Sequence, residues 1–297
     1  MPSLKDIRRR ITSVKSTQKI TRAMKLVAAA KLRKAQENIM QARPYANELR
    51  TMISELALRT EQHDHPLLTI REPRRVMLLI LTSDRGLCGA FNTNVLREGQ
   101  SYLAQHKDDH EEMQLAVLGK KGREYLEFRN IEIKQYFPGL DVGNALERSQ
   151  EMSAKVIDGF LGEDLDKVFV LYNEFKSAMS QRIVVEQLLP IEPMMLSGQD
   201  KSAQEGVGEG IGEFAFEPDK DTILENILPM YVQVELYRAA LESTASEYGA
   251  RMTSMENATN SANDMIATLT LQYNKARQAA ITTELGEIVG GAEAMKG

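Results

Sequence analysis

Apolar residues recur at alternating spacings of four and three residues over both the first and the last part of the chain. This spacing places the side chains in one stripe along a long helix. The first stripe has fifteen positions, twelve of them apolar: Ile7, Ile11, Val14, Gln18, Thr21, Lys25, Ala28, Leu32, Ala35, Ile39, Ala42, Ala46, Leu49, Ile53 and Leu56. The second consists of Ile223, Ile227, Met230, Val234, Tyr237, Leu241, Thr244, Tyr248, Arg251, Met255, Ala258, Ala262, Met265, Leu269, Gln272, Ala276 and Ala279. Two such stripes in one chain predict two helices that pair as an antiparallel coiled coil.

This pairing predicts which residues face each other. If both helices start from the central part of the chain, near Leu58 and Asp219, paired positions sum to about 277 and Leu4 lies opposite Tyr273. Residues after Tyr273 then extend roughly 35 Å beyond the first helix. The apolar stripe continues there, through Val289. Because an isolated helix of this length is marginal in water, we expect another protein to receive it.

The first stripe is interrupted by three consecutive polar positions, Gln18, Thr21 and Lys25. Over the same stretch, the apolar residues lie on another face, at Ile20, Met24 and Val27. Such a break fits a helix that presents side chains to a partner, and it equally fits a local change of packing.

Charge is concentrated at the start of the chain. Residues 1–34 contain eleven Lys or Arg and a single acid, Asp6, so this segment carries +10 and the remainder −15. A basic segment suggests nucleic acid, an anionic membrane surface or an acidic protein as partner. It also resembles a mitochondrial transit peptide, but the helical pattern continues past any plausible cleavage point.

The middle of the chain has a different pattern, in which short β-branched runs alternate with helical stretches. The predicted strands are 76–82, 115–119, 131–137, 167–173 and 182–190, and the predicted helices are 94–105, 121–128 and 144–161. Alternating strands and helices favour a small α/β domain with a largely parallel sheet.

We therefore predict an α+β protein with a long antiparallel coiled coil and a central α/β domain. Its predicted segments are an N-terminal coiled-coil helix (1–58), a linker (59–75), the α/β domain (76–196), a glycine-rich acidic loop (197–218) and a C-terminal helix (219–297).

The motifs for catalysis or ligand binding are weak. SDRGLCGAF (83–91) follows a predicted strand where a phosphate-binding loop would stand, but it lacks the glycine and lysine spacing of such loops. A tight turn that uses Gly86 and Gly89 is the favoured interpretation. The single cysteine, Cys88, excludes an intrachain disulfide, and its predicted place is the core or a loop. We predict no catalytic residues, cofactor site, metal site or membrane span.

Three stretches carry a specific resemblance to a known family. LKDIRRRITSVKSTQKITRAMKLVAAAKLRKAQ (4–36), TSDRGLCGAFN (82–92) and LTLQYNKARQAAITTELGEIVGGAEA (269–294) resemble the gamma subunit family of F-type ATP synthases. The resemblance implies a coiled coil inserted into a ring of three alpha and three beta subunits. It also implies a Rossmann-like domain that rests on the epsilon subunit and the ring of c subunits.

The resemblance also implies contact residues. Contacts with the beta subunits are implied for Lys19, Arg22, Met24, Lys25, Arg33, Arg85, Arg277 and Gln278. Contacts with epsilon and the c ring are implied for Phe214 and Phe216, although the glycine-rich loop before them is unlike most family members. The paired-cysteine insertion of the chloroplast branch is missing, which argues against thiol regulation of that kind.

The sequence thus predicts a non-catalytic rotor that couples rotation of the c ring, driven by ion transport, to ATP synthesis or hydrolysis at the beta subunits. A bacterial protein of this family would be peripheral, on the cytoplasmic side of the cell inner membrane. The alternative is a coiled-coil protein that binds nucleic acid through its basic first helix. It is disfavoured because the stripe runs through the basic segment, which leaves that segment paired. A third hypothesis is a nucleotide-dependent enzyme whose site lies in the α/β domain.

Overall fold

The computed structural model describes residues 3–58, 65–191 and 220–295. In chain order, the elements are α1 (Leu4–Leu58), a 3-10 turn (Pro66–Leu68), β1 (Arg75–Leu81), α2 (Phe91–Gln105), β2 (Glu112–Leu118), α3 (Lys120–Phe128), β3 (Gln135–Phe137), α4 (Ala145–Leu161), β4 (Lys167–Phe175), β5 (Gln181–Leu189) and α5 (Lys220–Ala294). The predicted α+β class, with two long helices and a central α/β domain, is confirmed.

Helix α1 begins with reciprocal hydrogen bonds between Ser3 and Asp6. The Asp6 N–H donates to Ser3 Oγ at 3.2 Å, and the Ser3 N–H donates to the Asp6 carboxylate at 3.3 Å. This capping arrangement satisfies backbone donors that have no partner inside the helix. The helix then continues through Pro44, and α5 likewise contains Pro229. At the rise of an α-helix, 75 residues of α5 measure roughly 110 Å.

Contacts divide the chain into two compact units. The first contains the described residues up to Ala28 together with those from Arg251 onward, and the second contains those between.

In the first unit the two helices are antiparallel, as predicted. Thr21 lies against Thr259, with 2.7 Å between the hydroxyl oxygens, and Lys25 Nζ contacts Glu256 Oε1 at 2.6 Å. These pairs sum to 280 and 281, whereas the predicted sum was 277. The predicted register was therefore wrong by about one helical turn, because it assumed that both helices leave the central domain at the same level.

In the second unit, a five-stranded sheet has the order β3-β2-β1-β4-β5. The β1–β2, β1–β4 and β2–β3 pairs are parallel, and β5 runs antiparallel to β4. The central strand β1 is buried from Val76 to Leu81. This continuous burial explains its unbroken apolar sequence, since a central parallel strand is covered on both faces.

Each face of the sheet has its own core. On one side, α2 and α3 pack against β1 and β2 through residues such as Ile80, Val95 and Leu126. On the other side, α4, the end of α1 and the start of α5 pack against the sheet through residues such as Leu49, Val156 and Leu228.

The start of α5 differs from the predicted stripe. Ile223, Ile227 and Val234 are only partly buried, while the neighbouring face is fully buried at Leu224, Leu228, Val232, Leu236 and Ala239. The reason is that this part of α5 packs against the α/β domain as well as α1. A coiled-coil pattern accounts for only one of these two contacts.

Candidate partner-contact surface

The basic segment of α1 separates into exposed and paired residues. Lys19 and Arg22 are exposed, and within the described residues neither forms an ion pair. They lie three residues apart, so both project from the same side of the helix. Lys25 is partly buried and paired with Glu256 of α5. Met24 is partly buried beside them.

The polar break in the stripe has a structural explanation. Gln18 donates to Asn263, the Thr21 and Thr259 hydroxyls share a hydrogen bond, and Lys25 pairs with Glu256. We call these six residues the polar seam. Sequence reasoning recognised the break but missed its partners, although Glu256, Thr259 and Asn263 repeat the same spacing on the second helix.

The apolar residues displaced by the polar seam are on the surface. Ile20 and Val27 are 59% and 58% exposed, and Leu26 is 65% exposed. Together with Lys19 and Arg22, they form a surface of alternating apolar and basic side chains in the first unit. The break in the stripe therefore combines both interpretations of the sequence: the packing changes locally, and a mixed surface faces outward.

Two further cations of the basic segment, Lys31 and Arg33, belong to the second unit, and each forms an ion pair there. Arg33 is exposed and pairs with Glu37 one turn along α1 at 3.2 Å. Lys31 Nζ donates to Asp141 Oδ2 at 2.6 Å and to the Tyr248 hydroxyl at 3.1 Å. Burial lowers the pKa of Lys31, but these two hydrogen bonds outweigh it and raise the pKa above its usual value. Lys31 thus remains charged and fixes the loop after β3 to both long helices.

The final part of α5 is helical but almost unburied. Arg277 and Gln278 are exposed, and every residue from 281 to 292 is exposed as well. Four of these residues are large and apolar, at 47–67% exposure: Ile281, Leu285, Ile288 and Val289. The observed register places Arg277 opposite the start of α1, so the unpaired segment begins about one turn later than the predicted Tyr273. We call residues 281–294 the tail of α5.

Arg85 lies in an exposed turn after β1. The Ser83 hydroxyl donates to the Arg85 carbonyl at 2.8 Å, and Asn92 of α2 accepts from the Ser83 N–H at 3.0 Å. Left-handed backbone angles occur at Leu87 (φ 66°) and Gly89 (φ 58°). The tight turn is therefore as predicted at Gly89, whereas Leu87 rather than Gly86 holds the second unusual angle. The fate predicted for Cys88 is confirmed, since it is buried beneath this turn.

The same turn occupies the place where a bound phosphate would lie. Asp84 Oδ1 accepts a hydrogen bond from the Lys120 N–H, the first of α3, at 2.8 Å. A Cβ at Gly139 would lie 2.2 Å from this carboxyl group, so the loop after β3 closes over it. A phosphate would have to displace a carboxylate that already caps the helix. This geometry counts against the nucleotide-binding interpretation of the SDRG loop.

Among the described residues, no group of three or more His, Cys, Asp or Glu side chains could hold a metal ion. No helix within them is long and apolar enough to cross a membrane. Phe214 and Phe216 lie outside the described residues, as does the glycine-rich loop.

Comparison with known proteins gives a consistent assignment over the whole length. A family model described as ATP synthase matches residues 3–295. The ATP synthase gamma chain of Anaeromyxobacter sp. (strain Fw109-5) is 48% identical over 299 aligned residues, which cover all of both chains. The ATP synthase gamma chain of Trichlorobacter lovleyi is 45% identical, again over the full length of both.

Solved structures agree in fold. A chain from the central stalk and c ring of the Tetrahymena thermophila mitochondrial ATP synthase is 26% identical, with a TM-score of 0.57. The match covers 80% of this chain and 99% of that one. A chain from the Euglena gracilis mitochondrial ATP synthase is 23% identical, with a TM-score of 0.70, and the match covers 98% of this chain and 94% of that one. The Euglena match shows the fold alone.

Proposed function

The chain belongs to the ATP synthase gamma chain family, and from this premise we infer how it acts as the central-stalk rotor of an F-type ATP synthase. In this proposal, ion-driven rotation of a c ring turns the subunit inside a ring of alpha and beta subunits. Its asymmetric surface drives the three beta sites through different nucleotide affinities. ATP chemistry takes place on the beta subunits, and the chain itself is non-catalytic.

The observation that carries the proposal is the tail of α5. The tail carries Ile281, Leu285, Ile288 and Val289 in one apolar stripe, and these side chains are left 47–67% exposed to water. Burying such side chains fully contributes about 1.5–3 kcal/mol each. Because every residue from 281 to 292 is exposed, a surrounding sleeve of partner subunits would cover this stripe and contact the other sides of the tail as well.

The exposed charges suit a contact that must be made and broken repeatedly. We propose that Lys19, Arg22, Met24, Lys25, Arg33 and Arg85 contact acidic loops of the beta subunits, and that Arg277 and Gln278 contact a further loop of the ring. Exposed ion pairs contribute only about 0–1 kcal/mol each. Such weak contacts can be exchanged between three beta subunits as the rotor turns.

The remaining partners follow from the same proposal. The α/β domain would rest on the epsilon subunit and the c ring, with Phe214 and Phe216 at that contact. The protein would be peripheral, on the cytoplasmic side of a cell inner membrane. It would bind neither nucleic acid nor a cofactor. The polar seam supports this view, because it pairs the basic stretch of α1 with α5 instead of leaving it free to enter a DNA groove.

Co-expression with the alpha and beta subunits of the same organism tests the proposal. We expect the three proteins to form a complex that contains one copy of this chain. ATP hydrolysis by the complex should require all three proteins. Isolation of the chain alone, combined with tight and steeply salt-dependent DNA binding, would reject it.

A further inference from the structure

One face of α5 is hydrogen-bonded to the sheet over three successive turns. Arg238, Glu242 and Ser246 are spaced four residues apart, so they stand above one another on the helix. Each contacts the paired strands β4 and β5. We call these three residues and their strand partners the polar ladder; all of it lies in the second unit.

Each step of the polar ladder uses a different kind of hydrogen bond. Arg238 Nη2 donates to both carboxylate oxygens of Glu186 on β5, at 2.7 and 2.6 Å, and Nη1 donates to the Tyr172 hydroxyl on β4 at 3.2 Å. Glu242 Oε2 accepts from the Phe175 N–H at 2.9 Å. The Ser246 hydroxyl donates to the Asn173 carbonyl at 2.9 Å.

The helix approaches the hairpin closely just beyond the polar ladder. A Cβ at Gly249 would lie 3.2 Å from the Ala178 Cα and 3.2 Å from Phe175 Cε2. Ala178 belongs to the turn between β4 and β5. A side chain at Gly249 would require its neighbours to move by a few tenths of an ångström, so glycine permits the close contact.

The polar ladder also extends to α1. Glu235, one turn before Arg238, accepts from Arg238 Nε at 2.8 Å and from Arg50 Nη2 at 2.9 Å. Burial lowers the pKa of Arg238, but Glu235, Tyr172 and Glu186 outweigh it and raise the pKa above the usual value. The guanidinium is therefore charged, and it ties α5, the sheet and α1 into one network.

Directional contacts resist a motion that apolar packing tolerates. Apolar side chains oppose separation of two elements, but a helix can slide or turn slightly against them at low cost. A hydrogen bond weakens steeply as its angle departs from linear. Turning α5 against the sheet would take these partners away from the part-buried Phe175 N–H and from the buried Asn173 carbonyl.

We propose that the polar ladder is the element through which torque passes between the α/β domain and the long helices. The proposal rests on the rotor function inferred above, and it assigns Arg238, Glu242 and Ser246 as positioning residues for that function. Without them, the domain would slip against α5 under load, although the apolar core would still hold the two together.

The test compares unloaded and loaded turnover in the assembled complex. The variant is Glu242→Ala with Ser246→Ala, and Glu242→Gln with native Ser246 restores an acceptor for the Phe175 N–H. Glu151→Ala is the matched control, because it removes an ion pair with Arg148 that lies within α4 and joins no two elements. ATP hydrolysis by the alpha, beta and gamma subunits alone is measured beside ATP-driven ion pumping by the membrane-bound complex.

We expect unloaded hydrolysis to be retained in all variants. In the double alanine variant, the ratio of pumping to hydrolysis should fall roughly fivefold, the factor by which one lost buried hydrogen bond shifts an equilibrium. Glu242→Gln and Glu151→Ala should keep the native ratio. An unchanged ratio in the double variant, or an equal fall in the Glu151→Ala control, would overturn the proposal. If the double variant does not assemble, Ser246→Ala alone is subject to the same comparison.

A covalent link can replace the polar ladder. In the double variant, with Cys88→Ala as background, Ala178→Cys and Gly249→Cys place two thiols where the backbones approach within disulfide distance. Oxidation should restore the native ratio of pumping to hydrolysis, and reduction should return it to the lowered ratio of the double variant. A disulfide that forms without restoring pumping contradicts the proposal. Failure of the rotor function itself would look different, since the native chain would then not assemble with alpha and beta subunits.

Discussion

Arg277 and Gln278 have exposed side chains at the point where α5 extends beyond the start of α1. Within the described residues, no side-chain hydrogen bond or ion pair holds either of them to α1. Their contribution to the stability of the isolated chain should therefore be small. If substituting these two residues has a larger effect on the complex, that effect has to come from contacts with a partner. Comparing the isolated chain with the complex therefore distinguishes a role in folding from a role in partner contact.

Replacing both residues, Arg277→Ala with Gln278→Ala, tests this separation. We expect the melting temperature of the isolated subunit to be nearly unchanged and ATP turnover of the assembled complex to fall. Losing a hydrogen bond to a charged group in a desolvated contact costs about 1.5–3 kcal/mol. Arg97→Ala, an exposed arginine on α2, is the control and should affect neither measurement. A marked loss of stability with normal turnover would mean that these residues contact their own chain.

Asp141 provides a residue-scale prediction about pH. Burial raises the pKa of Asp141, but hydrogen bonds from Lys31, the Val142 N–H and Tyr248 outweigh it and hold the pKa below 3.8. A carboxylate with a lowered pKa stabilises the fold above its unfolded pKa, and this stability is lost as the pH falls through the folded value. Asp141→Asn should therefore destabilise the protein at pH 7, and the difference from the native chain should shrink below pH 3.8.

The measurement is the free energy of unfolding in urea as a function of pH. Because the side chain of Asp141 is half exposed, solvent screening limits the expected difference at pH 7 to about 1 kcal/mol. Asp158→Asn, which replaces an exposed carboxylate on α4, is the control and should give a difference near zero at pH 7. A difference for Asp141→Asn that stays constant down to low pH would exclude the ion pair as its source.

At the scale of elements, the sequence predicted the helices and strands whose positions are determined by the spacing of apolar residues. Strands β1, β2, β4 and β5 and helices α2, α3 and α4 lie where the alternating pattern placed them, because apolar spacing reports directly on burial. The first part of the third predicted strand failed: only Gln135–Phe137 is a strand. This edge of the sheet pairs with β2 over three residues only, so apolar residues such as Ile131 pack partly buried against the core without joining the strand.

The register of the long helices could not be predicted from either stripe alone. A heptad stripe repeats every seven residues, so it fits several alignments of two helices almost equally well. The polar seam selects one of them, since only a sum near 281 joins Lys25 to Glu256 and Thr21 to Thr259. The polar ladder could not be predicted either. Its residues on α5 contact β4 and β5, and the sequence does not indicate how the helix and these strands are placed against each other.

Cysteine cross-linking distinguishes the two registers. In a Cys88→Ala background, Thr21→Cys with Thr259→Cys should form a disulfide readily, because the native hydroxyl oxygens are 2.7 Å apart. Thr21→Cys with Glu256→Cys is the matched control; it corresponds to the sum of 277 and should cross-link poorly. Non-reducing electrophoresis measures the yield as a mobility shift of the single chain. Preferential cross-linking of the control pair would show that the register is one turn away from that described.

At the scale of the whole molecule, the tail of α5 determines how the chain depends on its assembly. Residues 281–292 are exposed throughout, so they add apolar surface to the free subunit without packing against the rest of it. The chain therefore folds by burying the cores of its two units, and the contacts that we propose for the tail would form only in the complex. Stability of the subunit and stability of the complex should respond separately to changes in this segment.

Deleting residues 281–297 tests this separation. The isolated subunit should lose no more than about 0.5 kcal/mol of stability, as expected for exposed residues without packed neighbours. The assembled complex should dissociate at a lower denaturant concentration, because Ile281, Leu285, Ile288 and Val289 would no longer be buried against partners. A full-length variant with Leu285→Ser and Ile288→Ser separates apolar burial from helix length: if burial is the cause, it reproduces part of the effect. A truncated subunit that melts well below the native one would show that the tail packs on its own chain, and the case for a surrounding sleeve would fail.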